Sequence, residues 1–164
     1  MQLREKLLSK YEKMKVKNVD IPDLELKGYY RRNNKHPNGI ILLNNNFDYY
    51  VQNGVLAEEI GHHETTFGKI LGAYDTSSYK HINDLKQEVK ARRYGHNLTV
   101  PLQKLIDCYK QGVWGNVYEM CLSMGIDRSY FHEVIEDYKV RYGPFVKHNG
   151  YVINFEPLDI EKLD

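Results

Sequence analysis

Glu58, Glu59 and His62 fall in one short run, Glu58-Glu59-Ile60-Gly61-His62, and their types and spacing suit a divalent metal. Residues four apart on a helix share a face, so Glu58 and His62 project together and could bridge one ion. Glu59 is turned by about 100° from Glu58 and could reach a water held by that ion. This is the mechanical logic of HExxH, with two ligands at i and i+4 and a general base between them. Here a glutamate stands where that pattern has its first histidine. Carboxylate oxygen is a legitimate zinc ligand. An oxygen-richer site also suits harder cations, so residue type leaves the metal open. The bland alternative is a solvated helix face on which carboxylates stand near a histidine with no ion. His63 and Glu64 follow directly and read either as groups supporting the ligands or as plain surface.

A site of this kind takes its third protein ligand from a downstream helix or loop and leaves one position for water. Glu88, in the stretch from Lys86 to Pro101, is placed for that role. Ala91 and Gly95, four apart, form a stripe of small residues along which another helix can approach closely. Such an approach would set Glu88 against the Glu58/His62 face. Otherwise the small residues serve packing alone, and Glu88 pairs with Arg92 at i,i+4. His96 stands two turns beyond Glu88, and its angular offset of about 80° argues against a shared face. It remains an additional ligand candidate beside a packing role, as does His63.

The elements that must position these groups follow from periodicity and turn chemistry. Leu3, Leu7, Leu8, Tyr11 and Met14 predict an amphipathic helix over residues 2–15. Residues 18–24 carry loop chemistry, and 26–31 and 39–43 are strand candidates around a polar, proline-containing turn. The motif helix is expected from about Asp48, its N-cap, to Glu64, with Gly54 and Gly61 weakening it by propensity. Residues 65–80 read as loop, and helices follow over 83–98, 101–110, 115–124 and 128–142, the last two joined at Gly125. Asn149-Gly150 between apolar runs is a hairpin signal within 144–156. The expected fold class is α+β, mostly helical, with a small sheet or hairpin before the motif helix. Its expected organisation is a catalytic-type domain over 1–110, with a helical pair and hairpin tail over 111–164 packed on the same unit.

Composition sets outer limits. Apolar residues make up 41% and charged residues 27%, ordinary for a water-facing globular chain. The formal net charge of +1 gives no whole-chain sign of a nucleic-acid partner, so basic surface must be local. No apolar run is long enough to span a membrane, and the first residues lack a signal-peptide stretch. Cys108 and Cys121 lack CxxC spacing and read as buried thiols. A cytoplasmic location is expected.

The motif and the downstream helix together resemble the ImmA/IrrE family of metallo-endopeptidases, in its shorter phage and mobile-element versions. That family's LAHELGH helix corresponds to Leu56-Ala57-Glu58-Glu59-Ile60-Gly61-His62. Its ExxAxxFAxxLLxP helix is matched by Glu88, Ala91, Tyr94, Gly95, Leu98 and Pro101. The likeness extends over residues 5–142, with its specificity in 55–63 and 88–101. It implies a zincin-like fold, with Glu58, His62 and Glu88 as metal ligands, Glu59 as general base and zinc as cofactor. It also implies a protein substrate, a helix-turn-helix repressor of a phage or mobile element. Glutamate at position 58 departs from the family pattern. Its added negative charge should weaken the ion's Lewis acidity and slow peptide hydrolysis. Tyr94 or Tyr74 are candidates for oxyanion stabilisation.

Two other function classes compete. A catalytically weak or inactive antirepressor would act by binding alone. A DNA-binding regulator would use the pair of helices around Gly125. The second of those helices carries Glu133, Glu136 and Asp137 beside its cations, which speaks against direct DNA binding.

Overall fold

The computed structural model describes residues 1–65 and 78–164, the stretch 78–84 as helical backbone only. The chain divides into two compact units, Met1–His96 and Asn97–Asp164. The division falls within the last turn of the second motif helix, upstream of the boundary at 110 expected from the order of elements.

In the first unit, α1 (Leu3–Lys10) is followed by β1 (Lys15–Val19), β2 (Gly28–Asn33) and β3 (His36–Asn44). The sheet order is β1-β3-β2, with β1 parallel and β2 antiparallel to the central β3. The anticipated hairpin is present: Asn33 Oδ1 accepts from the backbone N–H groups of Lys35 and His36 and closes its turn. Two expectations need correcting. The N-terminal helix stops at Lys10, not 15, and the strand β1 occupies a stretch read as helix end and loop. Val16 and Val19, three apart, are the apolar residues of Lys-Val-Lys-Asn-Val, and its backbone groups pair with an edge of β3 that no local pattern announces.

Tyr30, Ile41 and Leu43 are buried on the sheet face against which α2 (Tyr49–Thr65) packs. Gly28 permits this approach, since a Cβ there would fall on the Val55 side chain of α2. Leu56, Ala57 and Ile60 supply the helix side of the core. The helix α3 (Ser78–Thr99) completes the unit and begins five residues before the expected start at 83. Of the predicted loop 65–80, residues 66–77 lie outside the described residues and 78–80 are helical.

The second unit holds α4 (Leu102–Lys110), α5 (Val117–Met124) and α6 (Arg128–Tyr142), all close to expectation. Gly125 ends α5 with φ 75°, and Asp127 caps α6 by accepting from Ser129 and Tyr130. An antiparallel meander follows, β4 (Phe145–His148), β5 (Tyr151–Phe155) and β6 (Leu158–Lys162). Asn149 and Gly150 both take positive φ, as a two-residue hairpin turn between twisted strands requires. The third strand, β6, extends beyond the expected hairpin. Leu105, Ile106, Val134, Tyr138 and Ile153 are among the fully buried side chains here. Both cysteines are free and buried, as their spacing suggested. No helix among the described residues is long and apolar enough to cross a membrane.

Candidate metal centre

The site is built on α2, whose entry is fixed before the donors appear. Asp48 Oδ1 accepts from the N–H groups of Tyr50 and Val51 at 2.9 and 3.0 Å, capping the helix where expected. Gln52 is buried and donates to the carbonyls of Asn44 and Phe47, tying the first turn to the end of β3. From α1, Arg4 donates through Nε to Asn53 Oδ1 at 2.7 Å and through Nη2 to Gln52 Oε1 at 3.1 Å. These buried polar groups hold the register of α2 against the sheet.

A turn further on, α2 and α3 touch backbone to backbone. A Cβ on Gly61 would fall on the carbonyl oxygen of Ala91 and lie 2.7 Å from its carbonyl carbon. A Cβ on Gly95 would lie 2.9 Å from the carbonyl oxygen of Ala57. The small-residue stripe anticipated on α3 is therefore met by a reciprocal one, Ala57 and Gly61, on α2. The sequence carried that signal at i,i+4, although Gly61 alone reads as a helix-weakening residue.

This crossing brings Glu88 to the face that carries Glu58 and His62. Donor atoms of the three side chains all lie within 4.8 Å of one another. His62 Nε2 stands 3.4 Å from Glu88 Oε2, with side-chain exposures of 19% and 47%. Tetrahedral zinc with bonds near 2.1 Å separates its ligand atoms by about 3.4 Å, so modest side-chain adjustment suffices to share one ion. Two carboxylates and one imidazole form a donor set that fits zinc and also harder divalent cations. Among the described residues, the group that could hold a metal consists of these three, the set read from spacing.

Glu59 is largely buried beside them. Burial pushes its carboxyl up to about 8, and the charges of Glu58 and Glu88 push the same way. Near neutral pH the metal-free carboxyl keeps its proton. A cation at the triad would favour the ionised form, since an opposite charge within a few ångströms lowers a carboxyl pKa.

The remaining candidates do not join the donor group. His63 turns to the sheet: Tyr30 Oη and His63 Nδ1 are 2.8 Å apart, and the rings meet edge to face. Burial holds the His63 imidazole below its ordinary value, with Glu64 opposing and Arg32 adding to the shift. Gly39, with φ 87°, leaves room for this pair, since a Cβ there would sit 2.8 Å from the Tyr30 ring. His96 is completely buried, in keeping with its 80° offset (about two turns beyond Glu88). The Tyr94 hydroxyl is 2.9 Å from that of Tyr11, and Tyr74 lies outside the described residues. Comparison with family models, curated proteins and solved structures finds no match to this chain.

Proposed function

We propose that Glu58, His62 and Glu88 hold one divalent cation, zinc in the first instance, and that the chain is a metal-dependent endopeptidase. The observation that carries this reading is the convergence of three donor atoms, from two helices locked by a backbone-to-backbone crossing, within 4.8 Å. A solvated acidic surface needs no such crossing. When bound, the ion supplies a Lewis acid that polarises the scissile carbonyl and acidifies water. Glu59 does the proton work: its carboxylate takes a proton from the attacking water and passes it to the leaving amine. Burial, with Glu58 and Glu88 nearby, keeps its proton affinity high enough for that exchange near neutral pH. The likeness to the ImmA/IrrE family supports a zincin-like fold and a helix-turn-helix repressor as the protein substrate.

The test begins with the metal content of protein purified without added metal or chelator. Near-stoichiometric metal in the wild type, lost in His62→Ala, supports the site; no metal in either, even with zinc offered at neutral pH, overturns it. With metal loaded, Glu59→Gln should stop hydrolysis and leave substrate binding intact. Repressor inactivation undiminished in Glu59→Gln would instead establish action by binding alone.

A further inference from the structure

The sheet of the first unit has a second face, turned away from α2, with a chemistry of its own. Strand register places two rows across it: Lys15, Ile40 and Arg31 in one, and Lys17, Leu42 and Tyr29 in the next. The outer members Lys15, Lys17, Tyr29 and Arg31 are exposed, Tyr29 at 44%. Ile40 and Leu42 floor a hollow of about 470 Å³, to which Arg31 and the turn residue Lys35 add their charges. None of the residues in the two rows or around the hollow is acidic. On a chain of net charge +1, four cations around an aliphatic floor are a concentrated local field.

We infer that this outer face docks an acidic, aliphatic-bearing extended segment of a protein partner, on the side of the sheet opposite the helix that carries Glu58 and His62. Alternate side chains of an extended segment point to one side, so aliphatic groups can enter the hollow while neighbouring carboxylates reach the cations. A single-stranded nucleic acid suits the face less well, because such platforms stack successive bases on aromatic rings. Here the floor is isoleucine and leucine, and Tyr29 is the one aromatic in the two rows. Identifying the docked segment as part of the cleaved protein rests on the peptidase reading; the docking chemistry does not.

Fluorescence anisotropy of a labelled, alternating glutamate–leucine decapeptide tests this, with an oligothymidine of equal length beside it. The peptide should bind wild type and Glu59→Gln alike. Combining Lys17→Glu with Arg31→Glu should weaken binding at least about tenfold, while Lys17→Arg with Arg31→Lys retains it. Hydrolysis of a short unstructured peptide should be unchanged by the charge reversal. Lys35→Glu, in the turn outside the paired strands, repeats the reversal should the double variant unfold. Absence of peptide binding to the wild type, binding indifferent to charge reversal, or tighter binding of oligothymidine would each overturn the inference. Failure of the peptidase reading shows separately, as absent metal and absent hydrolysis with peptide binding preserved.

Discussion

At the residue scale, Glu59 links the site to stability in a way that can be read without any substrate. Its folded-state pKa, about 8, lies above its ordinary 4.5. The folded metal-free chain therefore holds a proton that the unfolded chain has released. This contribution to stability is fully present below pH 4.5 and is lost as pH rises through 8. Urea unfolding in chelator should show wild type losing stability across that window, on the order of a few kcal/mol relative to Glu59→Gln. A bound cation would oppose the loss, so zinc added near pH 8 should raise the wild-type midpoint more than that of His62→Ala. A flat difference between wild type and Glu59→Gln would mean that Glu59 is solvated, without the burial its role requires. Tyr30 and His63 show how a neighbouring imidazole can be diverted from a metal. Their 2.8 Å contact ties His63 to the sheet, and this is a long-range pairing that adjacency to His62 in sequence conceals.

At the element scale, the donors are only as close as α2 and α3 allow. Gly61→Ala must push α3 away at the Ala91 carbonyl, where no flexible side chain can yield. Overpacking of this kind costs about 1–3 kcal/mol, and here it also withdraws Glu88. Thermal unfolding should show that loss, and zinc titration should show affinity falling at least about tenfold. Gly95→Ala meets its neighbours at 2.9 Å and above, so its effect should run the same way and be smaller. The reverse order would mean that the crossing does not set the donor spacing. The triad was legible in sequence because it needs only helical period and one small-residue stripe. The hairpin turn at Asn149-Gly150 was legible because both residues tolerate positive φ. By contrast, β1 was hidden: three of its five residues are polar, they do not alternate with the two valines, and its parallel partner β3 lies beyond a loop and another strand. The meander's last strand, β6, offers only Leu158 and Ile160 as alternating apolar residues, too short a pattern to announce a strand without its pairing to β5.

At the scale of the whole molecule, all three metal donors and Glu59 belong to the unit Met1–His96, while Asn97–Asp164 has buried side chains of its own. Substitutions in the second unit should therefore lower stability without changing metal binding. In the second unit, Tyr138 is completely buried, and its hydroxyl donates to the Val100 carbonyl at 2.6 Å. Burial pushes the Tyr138 phenol up to about 12, so it remains a donor throughout the accessible pH range. Tyr138→Phe keeps the ring packed against Phe155 but deprives a buried carbonyl of that donor. The cost is about 1–2 kcal/mol, because a buried acceptor deprived of its partner forfeits solvation that it cannot recover. Calorimetry should register the loss as a lower transition temperature, whereas zinc stoichiometry and affinity measured well below that transition should match the wild type. Metal affinity falling in step with stability would mean that the donor geometry depends on the packing of the second unit, and that the site is a property of the full chain.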